Sequence, residues 1–178
     1  MKSDLDALMQ ARDLDALLVL GNATHNPAFY YLTGGGHVSS AALIKKRGEP
    51  ATLFCNDMER EEAARSGLKV VPFGTYPWQE LLKQAGGDSV RMSAMRLVRM
   101  FADCGISAGR VGLYGHTDIS STYAMLTQLA EIAPQLTLVG EGREGSLFMY
   151  AMETKDPAEV ERIRRMGKLT TTVVGRVA

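Results

Sequence analysis

The chain has 178 residues, of which 46% are hydrophobic, and this is enough to fill the core of one ordinary domain. Lys plus Arg and Asp plus Glu each number 20, so the net charge of zero gives no long-range attraction for nucleic acid or an anionic membrane surface. Two cysteines are too few for a small domain held together by disulfides, and reduced thiols are expected.

The amino terminus carries Asp4 and Asp6 where a secretory signal needs an uninterrupted apolar stretch. The longest apolar candidate, Ala16 to Leu20, falls far short of the roughly 20 residues that span a bilayer. We therefore expect a cytoplasmic protein with no nucleic-acid and no membrane partner.

The elements follow one another in a regular order. Residues 3 to 12 have apolar side chains at helical spacing, and the continuous apolar run Ala16 to Leu20 is typical of a strand buried on both faces. Further strands are predicted at Ala41 to Lys45, Ala51 to Cys55, Lys69 to Phe73, Val111 to Tyr114 and Leu136 to Val139. Helices are predicted between the later strands, at Met58 to Arg65, Trp78 to Gln84, Ser93 to Cys104 and Ser121 to Ile132.

The second and third predicted strands flank the short turn Arg47-Gly48-Glu49-Pro50, which favours a hairpin. Alternating strands and helices follow this hairpin along the chain. The pattern predicts an α/β fold with three α/β/α layers and a mixed central sheet.

Residues 22 to 40 read as a long loop after the first buried strand, with Tyr30, Tyr31 and three glycines at 34 to 36. In open α/β folds a loop at the carboxyl end of a strand often carries functional residues. The glycines are equally explained by turns that need a positive φ angle. Both interpretations stay open at this point.

Three other motifs favour structural roles. Gly140 to Gly145 has the G-x-G-x-x-G spacing of a dinucleotide site, but Glu141 and Glu144 would place carboxylates beside a pyrophosphate, so a plain connection is favoured. The three histidines lack metal-ligand spacing. His116-Thr117-Asp118 fits a helix cap better than an acid–base pair.

A strong helix start lies at Lys155-Asp156-Pro157-Ala158-Glu159. Asp156 is placed to cap free amide groups, Pro157 fits the first helical position, and Glu159 completes a capping box. An apolar stripe then continues to the last residue without a stop signal, at Val160, Ile163, Met166, Leu169, Val173 and Val177. We therefore expect the chain to be the first part of a longer protein.

Four segments, in this order and spacing, resemble the amino-terminal domain of creatinases, prolidases and Xaa-Pro aminopeptidases: residues 15–19, 31–34, 56–63 and 155–164. The last is the most specific, because it is similar to the connector that opens the family's catalytic domain. Two positions depart from the family pattern. Met152 stands where an Arg is common, and Gly35 replaces an aromatic residue.

The resemblance implies a ribonuclease-H-like fold for residues 1–152, with 153–178 as the connector and first helix of a truncated pita-bread catalytic domain. The family's two divalent metals, Mn, Co or Zn, are held by ligands that would lie beyond residue 178. This chain would then hold no catalytic residue, metal or cofactor. It would be the non-catalytic domain of a metal-dependent Xaa-Pro aminopeptidase or dipeptidase. The alternatives are a creatinase-like amidinohydrolase and a metal-free binding relative.

In relatives this domain supports dimerisation, and the resemblance implies that its loops approach the active site of the partner subunit and restrict access to short peptides. The resemblance therefore implies a homodimer whose full-length form takes short proline-containing peptides. Tyr31, His37 and Trp78 are the residues that it places near the substrate entrance.

Overall fold

A computed structural model describes residues 1–35, 37–142 and 144–177. Its centre is a six-stranded sheet in the order β4-β3-β2-β1-β5-β6. Only β2 runs antiparallel to its neighbours, so the carboxyl ends of the other strands lie along one edge. The strands are β1 Ala16–Gly21, β2 Ala41–Lys46, β3 Thr52–Cys55, β4 Lys69–Pro72, β5 Gly109–His116 and β6 Leu136–Gly140. The predicted strands and the hairpin of β2 and β3 are confirmed.

Helices cover both faces of this sheet. They are α1 Leu5–Ala11, α2 Pro27–Thr33, α3 Arg60–Ala64, α4 Trp78–Gln84, α5 Ser89–Asp103, α6 Ile119–Ile132, α7 Leu147–Glu153 and α8 Pro157–Val177. One apolar cluster joins the sheet to α1, α2, α3 and α7, and a second joins its other face to α4, α5 and α6. The predicted three-layer α/β/α architecture with a mixed sheet is therefore confirmed.

Strand β1 lies at the middle of both cores. Leu17 and Val19 belong to the first cluster, Ala16 and Leu18 belong to the second, and all four are 0% exposed. Alternate side chains of a strand point to opposite faces, so an unbroken apolar run is what a doubly covered strand requires. Full burial of each large side chain contributes about 1.5–3 kcal/mol.

The helices α2 and α7 are absent from the sequence-based prediction, which treated 22–40 as loop throughout. Each has only seven residues, so neither gives a long periodic pattern. Both nevertheless begin at side-chain caps: Asn26 Oδ1 accepts from the Phe29 amide, and Ser146 Oγ accepts from the Met149 amide. Helix α2 ends at Thr33 and is followed by Gly34, whose φ of 75° supports the turn interpretation of this glycine. Gly36 lies outside the described residues.

The carboxyl ends of the two central parallel strands touch each other closely. Gly115 on β5 is the register partner of Leu20 on β1, and Gly21 is the partner of His116. Both glycines have a positive φ, 118° at Gly21 and 125° at Gly115. A Cβ atom at Gly115 would overlap the Leu20 carbonyl oxygen, so this contact requires glycine on β5.

Helix α8 stands apart from both cores, because none of its residues is buried. Of the predicted stripe, Val160 is half-buried and the other five side chains are at least half exposed: Ile163, Met166, Leu169, Val173 and Val177. Ala178, the last residue of the predicted connector and helix, lies outside the described residues. Within the described ranges, no helix combines the length and the apolar character needed to cross a membrane.

Candidate functional site

Tyr31 on α2 faces α7 and is 7% exposed. Its hydroxyl group donates a 2.9 Å hydrogen bond to the Ala151 carbonyl oxygen. Its ring meets Phe148 edge to face, with centroids 6.3 Å apart. Burial raises the pKa of the Tyr31 phenol to about 12, so the hydroxyl stays protonated and keeps donating at neutral pH. Tyr31 therefore ties α2 to the segment that leads into α8.

The predicted capping box at the start of α8 is confirmed. The Glu159 amide donates to Asp156 Oδ1 at 2.8 Å, and the Asp156 amide donates to Glu159 Oε2 at 2.9 Å. The hydrogen bond from the Glu159 amide holds the pKa of the Asp156 carboxyl below its usual value. Two backbone amides at the helix start are thereby satisfied, which fixes where α8 begins.

Two neighbouring cavities lie between α2 and α8, and both are lined by Tyr30, Tyr31, Lys155 and Glu159. Their volumes are about 350 and 470 Å³. Met152, which stands where the family has Arg, lines the smaller cavity. These groups can bind a polar ligand, but they hold no nucleophile with an adjacent base. In the described part of the chain, no three His, Cys, Asp or Glu side chains form a metal-binding group.

His37 and Trp78 lie on other surfaces. The His37 amide donates to Glu62 Oε1 at 3.3 Å, which ties this exposed loop to α3. Trp78 begins α4, is 57% exposed and lines a shallow cavity with Leu82 on the same helix. Tyr31, in contrast, lines the cavities next to α8. The access role given to these three residues stays a prediction.

Acidic residues after β3 have a role that sequence reasoning missed: they fasten neighbouring loops. Asp57 Oδ2 accepts from the Gly74 amide at 2.9 Å, which joins this segment to the loop after β4. Glu59 Oε1 accepts from the Ser39 amide at 2.8 Å, which joins it to the loop before β2. The clustering of acids within residues 56–63 is a signal for such amide contacts, but the partners are distant in sequence.

The glycine-rich segment after β6 is a structural connection built on Glu141. Its carboxylate accepts from the Tyr114 hydroxyl at 2.6 Å and the Leu147 amide at 2.9 Å, and pairs with Arg12 Nε at 2.9 Å. Burial and this carboxylate raise the pKa of the Tyr114 phenol. The interpretation of this motif as a plain connection agrees with these contacts, although Arg143 lies outside the described residues.

Asp118 acts as the cap of α6. Its Oδ1 atom accepts from the Ser121 amide at 2.9 Å and from the Ser121 hydroxyl at 2.8 Å. The amide hydrogen bond lowers the pKa of the Asp118 carboxyl. The helix-cap interpretation of His116-Thr117-Asp118 is therefore confirmed.

Known structures resemble this fold over most of the chain. A dipeptidase from Pyrococcus horikoshii OT3 matches with a TM-score of 0.63 and 14% identity, over 98% of this chain and 42% of its own. An X-Pro aminopeptidase from Thermotoga maritima MSB8 matches with a TM-score of 0.58 and 13% identity, over 90% of this chain and 38% of its own. The chain thus spans less than half the length of these two proteins.

A third structure, the Xaa-Pro aminopeptidase P from Streptococcus thermophilus, matches with a TM-score of 0.53 and 18% identity, over 86% of this chain and 95% of its own. No curated protein matches the chain by sequence. The sequence profile of the creatinase/prolidase N-terminal domain, however, matches residues 2–143, which contain all six strands of the sheet. The chain belongs to the creatinase/prolidase N-terminal domain family.

Proposed function

We propose that this chain is the non-catalytic amino-terminal domain of a metal-dependent Xaa-Pro aminopeptidase or dipeptidase. The observation that carries the proposal is the match of the creatinase/prolidase N-terminal domain to residues 2–143. The names of two similar structures, X-Pro aminopeptidases of Thermotoga maritima and Streptococcus thermophilus, support the peptidase assignment. A creatinase-like amidinohydrolase and a metal-free binding protein are the alternatives.

In this proposal, residues 153–178 lead into the catalytic domain, and α8 is its first helix. The exposed apolar stripe of α8 supports this role, because such a stripe is normally buried against another element. The catalytic domain would hold two divalent metals, Mn, Co or Zn, which supply a metal-activated water molecule for hydrolysis at neutral pH. The residues described here would position that domain and contribute none of the reacting groups.

The proposal also gives this domain two supporting tasks, dimerisation and control of substrate access. Exposed aromatic groups favour contacts of this kind, and Trp78 and Tyr30 are 57% and 60% exposed. Short proline-containing peptides would be the substrates of the full-length protein. Tyr31, His37 and Trp78 would then lie near the entrance through which those peptides pass.

We expect the purified 178-residue chain to release no product from Xaa-Pro dipeptides or Xaa-Pro-containing peptides, with Mn, Co or Zn added in turn. The reason is that the proposed catalytic ligands lie outside it. A known Xaa-Pro aminopeptidase assayed in parallel controls for substrate and metal quality. Metal-dependent cleavage of the Xaa-Pro bond by this chain would refute the proposal that it is non-catalytic.

In the full-length protein, we expect His37→Ala, Trp78→Ala and Tyr31→Phe to lower kcat/KM and to change the preference for peptide length. The last change removes only the hydroxyl group that bonds to the Ala151 carbonyl. Tyr123→Ala, on an exposed residue of α6, is the control for loss of a surface aromatic group. If all three variants keep both the activity and the length preference, these residues have packing roles only.

A parallel assay of the full-length protein with creatine as substrate separates a peptidase from an amidinohydrolase.

A further inference from the structure

A cavity of about 340 Å³ opens at the carboxyl edge of the sheet, between the ends of β1 and β5 and the helices α5 and α6. Its lining is mixed: it includes the apolar side chains of Leu97, Met100 and Met125 together with polar side chains such as those of Ser93 and Thr122. This volume lies at the lower end of the range of about 300–1,000 Å³ for small-molecule sites. The cavity is therefore suited to a small molecule that has both a polar group and an apolar part.

One cation, Arg96 on α5, lines this cavity. Its guanidinium group lies over the Phe73 ring, 4.5 Å from the ring centroid. Within residues 1–35, 37–142 and 144–177, no carboxylate lies within 4.0 Å of Arg96, and its guanidinium makes no hydrogen bond. Burial lowers the pKa of this guanidinium.

Other partly buried arginines among the described residues have a carboxylate partner or another hydrogen-bond acceptor, and Arg99 donates to Gln84 Oε1 at 2.9 Å. Arg12 meets Glu141 at 2.9 Å, and Arg47 meets Asp15 at 2.9 Å. A cation withdrawn from water is costly unless it finds an anion and hydrogen-bond acceptors. The planar fork of a guanidinium matches a carboxylate through two parallel hydrogen bonds. The contact with the Phe73 ring restrains the position of the Arg96 guanidinium, which lowers the entropy cost of binding such a partner.

Charge at the rim decides which anion fits best. Asp118 and His116 also line the cavity, and the Asp118 carboxylate accepts hydrogen bonds from Ser121 and forms no ion pair with Arg96. Asp118 would repel any anion, but it would repel a dianion such as phosphate more strongly than a single negative charge, so a monoanion fits this cavity better. We propose that this cavity binds a small organic carboxylate, with its carboxylate on the Arg96 guanidinium and its apolar body over Leu97, Met100 and Met125.

The test is an NMR titration of the ¹⁵N-labelled chain with hexanoate, with neutral hexanamide of the same length, and with inorganic phosphate. We expect hexanoate to shift the amide signals of Ser93, Arg96 and Ser121 and to bind more tightly than the other two probes. Arg96→Gln should weaken hexanoate binding by about tenfold or more, because hydrogen bonds to a charged group are lost.

Arg91→Gln is the matched control, since Arg91 lies on the same helix, is exposed and does not line the cavity. It removes the same charge and should leave the affinity for hexanoate nearly unchanged. Equal weakening in the two variants would overturn the proposal, because it would show attraction by net charge. Binding of hexanamide as tight as that of hexanoate would overturn it too, as would preferential binding of phosphate.

The titration of the unaltered chain remains decisive if Arg96→Gln fails to fold. Saturable hexanoate shifts centred on residues 93, 96 and 121 support the site. Shifts that never saturate, or that centre elsewhere, overturn it. Arg96→Lys keeps the charge but loses the planar fork. Its affinity for hexanoate should therefore lie between that of the unaltered chain and that of Arg96→Gln.

Discussion

Replacing Gly115 by Ala should lower the free energy of unfolding by about 3 kcal/mol or more, since it combines backbone strain of about 1–3 kcal/mol with a steric clash. Gly115 has a φ of 125°, which side-chain-bearing residues rarely adopt. Its added Cβ atom would also overlap the carbonyl oxygen of Leu20 on the neighbouring strand. Relief of that overlap requires β1 and β5 to separate where the two halves of the sheet join.

The measurement is urea unfolding followed by circular dichroism. Gly140→Ala is the matched control, because Gly140 ends the next strand and a Cβ atom there meets no atom within 4 Å. We expect the control to change the free energy of unfolding by less than about 1 kcal/mol. Similar urea concentrations at the midpoint of unfolding for the two variants would show that β1 and β5 tolerate a side chain between them.

Glu141→Ala should destabilise the chain by about 3 kcal/mol, the lower end of the cost of removing one partner from a buried ion pair. The Tyr114 hydroxyl and the Leu147 amide lose their acceptor, and Arg12 loses its ion pair while keeping its hydrogen bonds to backbone carbonyl groups. The lower end applies because the Arg12 and Glu141 side chains are 20% and 17% exposed, so water can partly replace the lost contacts.

Thermal and urea unfolding of Glu141→Ala should be compared with Glu144→Ala. Glu144 belongs to the same glycine-rich segment and is exposed, so its replacement should change stability by less than about 0.5 kcal/mol. If Glu141→Ala were equally mild, the contacts of this carboxylate would contribute little net stability. Glu141→Gln tests the charge separately, because an amide oxygen still accepts hydrogen bonds but forms no ion pair with Arg12.

The sheet was predictable because its strands carry local signals. Continuous apolar runs such as Ala16 to Leu20 end at turn residues, and these features belong to single segments of sequence. The short helices α2 and α7 escaped prediction for the opposite reason. Seven residues make about two turns, and the burial that stabilises these helices comes from distant elements: α2 packs against β1 and β5, and α7 packs against α1.

The candidate functional residues also separate into those with contact partners nearby in sequence, which were predictable, and those with distant partners, which were not. The capping box of Asp156 and Glu159 was predictable because its partners are three residues apart. The bond from Tyr31 to the Ala151 carbonyl joins positions 120 residues apart, and no local pattern announces it. The cavity lined by Arg96 also depends on parts of the chain that are distant in sequence, since Phe73 follows β4 and Asp118 follows β5. Roles that arise from such distant contacts require the folded structure.

The reversed direction of β2 has a consequence for which changes in chain length this domain can accept. Because Gly21 at the end of β1 pairs with Ala41 at the start of β2, the intervening connection leaves and re-enters the sheet at adjacent points. Its two anchors are held together by strand pairing, whatever its length. Doubling the length of such a loop costs only about 0.6 kcal/mol of closure entropy. Insertions and deletions between these anchors can therefore reshape the surface around α2 while the register of the sheet is preserved.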